Sequence, residues 1–130
     1  GAVIVKNGEI VAESGNSVTL DNDPTAHAEI NTIRKAAKKL GTFDLSGCEI
    51  YSSCEPCPMC LGAIYWARID SLYFGNNKVD ADNIGFSDKF IYDEIDKDFS
   101  QRNLKTETMM RDEALEAFKI WQDKDDKIEY

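Results

Sequence analysis

The sequence predicts an α/β fold in which a mixed sheet lies between helices. Three observations predict it. Two short apolar runs, Ala2-Val3-Ile4-Val5 and Ile10-Val11-Ala12, flank Asn7-Gly8, a dipeptide suited to a two-residue hairpin turn. Ile30, Ile33, Ala37 and Leu40 recur at helical spacing. From Cys48 to Phe74 a strand pattern, a helix pattern and a second strand pattern follow in succession, as a βαβ crossover with two parallel strands requires.

The chain opens on the hairpin, and Ser14-Gly15-Asn16-Ser17 reads as a turn after its second strand. Asp23-Pro24-Thr25 reads as a helix entry, because proline is tolerated in the first turn. Lys38 and Lys39 followed by Gly41 supply stop signals, so His27 and Glu29 fall near the start of this helix. Cys48–Ser52 reads as a short buried strand. Pro56 and Pro58 open the next helix, which runs through Leu61, Ile64, Tyr65 and Ala67. Ser71–Phe74 is the following strand. Asn76–Asn83 reads as a polar loop, and Gly85–Tyr92 as a loop with one helical turn. Lys105–Arg111 reads as a late strand. Ala114, Phe118 and Trp121 place an apolar stripe on a last helix, which leads to a charged tail from Asp123 to Glu129 and a closing Tyr130.

A chain of 130 residues is of single-domain size, so 1–130 is read as one domain, with a C-terminal helix and tail over 112–130. Hydrophobic residues at 42% and charged residues at 30% are the balance of a globular domain. No apolar run reaches membrane-spanning length, and clustered cysteines without an export signal point to the cytoplasm. The net charge of −9 disfavours a large nucleic-acid partner, whose binding rests on phosphate neutralisation.

The chemistry concentrates in two stretches, His27-Ala28-Glu29 and Cys54-Glu55-Pro56-Cys57-Pro58-Met59-Cys60. Histidine occurs once in the chain, and three of the four cysteines fall in the second stretch. Imidazole and thiolates are preferred zinc ligands, and a catalytic site takes three of them and keeps a position for water. His27, Cys57 and Cys60 supply that set. Cys57 and Cys60 stand three apart on a helix, so both thiols face one side. Glu29 stands beside the metal as a proton carrier without ligating it. Two other readings stand beside this one. Cys54, Cys57, Cys60 and His27 could close a four-ligand structural site, and a C-x-x-C-x-x-C run could hold an iron–sulfur cluster. The closed site gives Glu29 no task and leaves Pro56 unexplained.

His27, Glu29, Pro56, Cys57 and Cys60 resemble the H-x-E and P-C-x-x-C signature of the zinc nucleobase and nucleoside deaminases. The resemblance narrows to bacterial guanine deaminases through Asn22–Glu29, Cys54–Arg68, Gly85–Tyr92 and Glu129-Tyr130. The first two stretches are shared in part with tRNA adenosine deaminases and fungal-type cytosine deaminases, and the latter two discriminate. The resemblance implies a cytidine deaminase-like fold: three-layer α/β/α, with a mixed five-stranded sheet and a further helix before the hairpin that has no counterpart in this sequence. It implies Zn2+ as cofactor, held by His27, Cys57 and Cys60, with Glu29 and Asp88 catalytic. It places substrate contacts on Asn16, Ala28, Trp66 and Tyr130. It further implies a small nucleobase substrate and a homodimer whose C-terminal segments are exchanged and close over the partner's site. The residues alone leave local roles open for four of these: Asn16 as a turn residue, Trp66 as core, Asp88 as a helix cap and Tyr130 as a disordered terminus. Deamination of tRNA adenosine or of cytosine, and a non-catalytic domain stapled by zinc, are the competing readings of the chain.

Overall fold

In the computed structural model, which describes residues Gly1–Tyr130, the hairpin forms as the sequence predicts. Strands β1 (Ala2–Lys6) and β2 (Glu9–Ser14) are antiparallel, and Asn7 and Gly8 between them both take positive φ, 51° and 77°. Positive φ at both loop positions matches the turn to the strand twist. The register slips between Ile4 and Val5, where Val11 is the extra residue of a bulge. Strand β3 (Cys48–Cys54) pairs antiparallel with the other edge of β1, and β4 (Ser71–Asn76) pairs parallel with β3. The sheet is mixed, in the order β2-β1-β3-β4.

This sheet has four strands, not the five that the resemblance implies. The stretch read as a late strand has no sheet partner, and its last residue, Arg111, opens a helix instead. Two physical reasons account for this. Alternating residues become a strand only with a hydrogen-bonded neighbour and a face to bury, and Met109 and Met110 are both exposed. Met110 also takes a left-handed φ of 50°, which ends any extended run.

The crossover element is α3 (Pro58–Trp66), and α2 (Ala28–Leu40) packs across β1 and β2 and against α3. Both helices lie on one face of the sheet. Ile4, Ala36, Leu45, Cys48, Ile50, Ile64 and Ala67 form the core between them. On the opposite face Tyr51 and Tyr73 stack with ring centroids 4.8 Å apart and stay exposed. Truncating the fully buried Ile4 to alanine should cost roughly 2–5 kcal/mol by urea unfolding, with an unchanged m value.

A single helical turn, α1 (Val18–Asp21), precedes α2. The polar loop expected over Asn76–Asn83 instead contains α4 (Lys78–Asn83). Its entry is a capping box: the Asn77 side chain accepts from the Val79 and Asp80 amides, and Asp80 accepts from the Asn77 amide. The next helix, α5 (Lys89–Ile95), is longer than the one turn expected.

The chain divides into two compact units, Gly1–Ile91 and Tyr92–Tyr130. The sheet and its helices make the first. In the second, Glu94 collects Lys97 and the Asn103 amide on its carboxylate, and the Arg102 guanidinium stacks over Phe99 at 4.8 Å. The hydrogen bond from Lys97, then that from the Asn103 amide, holds the Glu94 carboxyl below its usual range. The last helix, α6 (Arg111–Gln122), carries its apolar stripe but buries none of it within this chain. No helix is long and apolar enough to cross a membrane.

Candidate metal centre and active site

The two chemical stretches sit at two helix starts. Asp23 accepts from the Thr25 amide at 2.8 Å and from the Thr25 hydroxyl at 2.7 Å, a turn that delays α2 until Ala28, later than the entry expected at Asp23. His27 is thereby left as the N-cap residue of α2. Cys57 is the N-cap residue of α3, with Pro58 as the first helical residue. Neither side chain makes the usual capping bond to its helix. They turn toward each other instead, and the positive ends of both helices face the cluster and favour thiolates there.

His27 Nδ1 lies 3.6 Å from Cys57 Sγ and 3.5 Å from Cys60 Sγ, and the three ligand atoms lie within 4.8 Å of one another. Zinc–sulfur and zinc–nitrogen bonds arranged tetrahedrally would separate nitrogen from sulfur by about 3.5 Å. The donor set and its nitrogen–sulfur spacing therefore fit zinc. The two thiols pull against each other. The hydrogen bond with Cys60 pulls the Cys57 thiol down to about 6, whereas that same bond, burial and the Glu29 carboxylate push Cys60 up. A dication removes the conflict by stabilising both as thiolates.

Cys54 lies outside this cluster, so the closed four-ligand site is not formed. Its thiol is pushed up by burial first, then by the charges of Glu29 and Asp88.

Glu29 stands in the first turn of α2 and is buried, 8% exposed. Its Oε1 accepts a 2.6 Å hydrogen bond from the Ser52 hydroxyl, and its Oε2 lies 3.4 Å from Cys60 Sγ. One carboxylate oxygen is thus held by the sheet while the other faces the metal ligands. Ala28, between the two functional residues, is also buried.

The remaining expected residues are placed less closely. Asn16 Oδ1 accepts from the Val18 amide at 3.1 Å, so this side chain does make the local turn bond. Asp88 directly precedes α5, is half-buried, and lies near enough for its charge to act on Cys54. Trp66 ends α3 and is 68% exposed, which rules out the core role for it. Tyr130 belongs to the second unit and is exposed.

Two contributors were not anticipated from sequence. Asn31 Nδ2 donates toward Ser17 Oγ at 2.9 Å and the Gly15 carbonyl at 3.1 Å, which ties the Asn16 loop to α2. Ser52 bonds Glu29, and its only signal was a polar residue at an inward position of β3.

The sequence profile described as the cytidine and deoxycytidylate deaminase zinc-binding region matches residues 1–76, which contain every member of this cluster. The chain belongs to this deaminase family. Its cofactor is therefore zinc, and His27, Cys57 and Cys60, all inside the matched region, form a candidate site for it. Guanine deaminase of Bacillus subtilis (strain 168) is 52% identical over 130 residues, which is 100% of this chain and 83% of that protein. A crystal structure of guanine deaminase from Bacillus subtilis superposes with a TM-score of 0.96 at 51% identity, over 99% of this chain and 82% of that one. The tRNA-specific adenosine deaminase of Aquifex aeolicus is 49% identical over 74 residues, only 57% of this chain and 49% of that protein. Likeness to this tRNA deaminase covers 74 residues, about the length of the zinc-binding region. Likeness to a guanine deaminase extends over the whole chain.

Proposed function

We propose that this deaminase hydrolyses free guanine to xanthine and ammonia. The observation that carries the reading is the full-length likeness to a guanine deaminase, which includes the stretches outside the zinc motif. The zinc motif alone cannot choose a substrate, because guanine C2, cytosine C4 and adenine C6 all offer an electrophilic ring carbon bearing an amine.

His27 Nδ1, Cys57 Sγ and Cys60 Sγ hold the metal in this reading. Zinc bound there supplies the Lewis acidity that makes water a nucleophile near neutral pH. Glu29 moves the protons. Its Oε2 takes one from the attacking water and delivers it to a ring nitrogen, then takes the second from the hydroxyl now on the ring carbon and gives it to the departing amine. The water's oxygen becomes the new carbonyl oxygen, and the amine leaves as ammonia. Asp88 stands toward the exocyclic amine and assists its departure. The Asn16 amide offers donor and acceptor groups to the base edge, Ala28 lines the base beside Glu29, and Trp66 and Tyr130 supply aromatic surface.

The finer architecture belongs to the same reading. A second helical layer on the Tyr51–Tyr73 face would complete the α/β/α arrangement. The chain acts as a homodimer whose C-terminal segments, ending at Tyr130, are exchanged between copies. It works in the cytoplasm, where free thiols persist to bind metal.

The test is a parallel assay of ammonia release from guanine, guanosine, cytosine, adenine and a tRNA anticodon stem-loop. Guanine should be the best substrate, and Asp88→Ala should lower its kcat more than it raises its KM. Deamination of the stem-loop with no turnover of guanine would overturn the substrate assignment and leave the zinc chemistry standing.

A further inference from the structure

We propose that Ser52 is a positioning residue for Glu29: its hydroxyl fixes one carboxylate oxygen so that the other stays aimed at the reacting atoms.

The argument begins with the strand. Inward positions of β3 are Cys48, Ile50 and Ser52, and the first two are fully buried in the core. By that alternation Ser52 occupies a place where packing calls for an apolar side chain. Its neighbours across the sheet are Ala2 on β1 and Phe74 on β4, and neither side chain offers a polar partner. A hydroxyl placed there needs a reason, since a buried polar group without a partner costs free energy.

The partner is Glu29. The 2.6 Å separation is that of a charge-assisted hydrogen bond to a carboxylate. A second contact holds the hydroxyl in place, since the Cys54 amide approaches Ser52 Oγ at 3.4 Å. The amide donates to one lone pair of the hydroxyl oxygen, and the hydroxyl proton goes to Glu29 Oε1, since a carboxylate oxygen accepts.

The consequence lies in the last torsion of the glutamate. That torsion is broad, so an unsupported carboxylate samples many planes. With Oε1 pinned to the sheet, Oε2 is left on the side of Cys60 Sγ, 3.4 Å away. Proton transfer demands such pre-set geometry, and displacements on the order of 1 Å can lower rates roughly a hundredfold. Ser52 itself touches neither metal ligand nor substrate, and it acts through Glu29 alone.

The inference rests on the role assigned to Glu29 above, and the experiment separates the two. Ser52→Ala, Ser52→Thr, Glu29→Gln and the Ser52→Ala/Glu29→Gln pair are assayed with guanine, alongside zinc content and melting temperature. Ser52→Ala should lower kcat about ten- to a hundredfold, the order lost when a partner orienting a functional group is removed. Its KM should stay within about threefold, with one zinc per chain retained. Ser52→Thr keeps the hydroxyl and should recover most of the loss. The paired variant should be no slower than Glu29→Gln alone, because a residue acting through Glu29 has nothing left to position. Wild-type kcat in Ser52→Ala, with Glu29→Gln inactive, overturns this proposal and spares the assignment of Glu29. A loss in Ser52→Ala that adds fully to that of Glu29→Gln, or that Ser52→Thr fails to recover, marks a packing role and also overturns it. Normal turnover by Glu29→Gln overturns both.

Discussion

Replacing Glu29 with glutamine should leave zinc in place and slow guanine turnover roughly a hundred- to ten-thousand-fold. Glutamine matches glutamate in shape, and its carbonyl oxygen can still accept from the Ser52 hydroxyl where Oε1 now sits, 2.6 Å away. The amide nitrogen then falls beside Cys60 Sγ, where a donor suits a thiolate. The cluster of His27, Cys57 and Cys60 is untouched, so the metal has no reason to leave. What disappears is a group able to accept a proton and return it. Steady-state ammonia release and metal analysis of the same preparation measure both halves. Turnover within a few-fold of wild type would assign the proton transfers elsewhere, and Asp88 would be the first residue to examine.

The parts of this fold that were legible in sequence share one property: their signal is local and periodic. The hairpin was marked by Asn7-Gly8, and α2 by the spacing of Ile30, Ile33 and Ala37 together with Gly41, which takes φ 69° at the helix end. The metal cluster was legible because ligand chemistry admits few residue types and the chain holds one histidine. Other features depended on partners that a sequence does not name. Helix α4 has no apolar stripe and rests on the Asn77–Asp80 capping box, with residue types less conspicuous than the Ser/Thr and Glu/Gln form. The stretch before α6 was read as a late strand, but sequence is silent on whether a sheet edge is within reach. Ser52 looked like an ordinary strand residue until Cys48 and Ile50, on its side of β3, proved fully buried. A core role was open for Trp66 in the sequence, and its exposure at the end of α3 removes it. Propensity fixes elements, whereas long-range pairing decides which of their polar side chains meet.

Cys57→Ser should reduce zinc from one per chain to nearly none and bring guanine turnover to the uncatalysed background. A hydroxyl is a poor substitute for a thiolate: it stays protonated at neutral pH and binds zinc weakly. Cys57 is one of three ligand residues, and the hydrogen bond with Cys60 pulls its thiol down to about 6, which favours the thiolate a metal needs. Losing it leaves His27 Nδ1 and a Cys60 thiol that burial and the nearby Glu29 charge push up, a pair with little hold on a dication. Cys54→Ser provides the contrast. Cys54 is half-buried at the end of β3, outside the set of three ligand atoms, so this variant should keep its zinc and most of its activity. Metal content by mass spectrometry, with chromogenic release of zinc as a second measure, reads both variants without relying on catalysis. Loss of zinc from Cys54→Ser would restore the four-ligand structural site and remove the basis for catalysis at this centre. Retention of zinc by Cys57→Ser would move the third ligand to another residue, and Cys54 would be the one to test next.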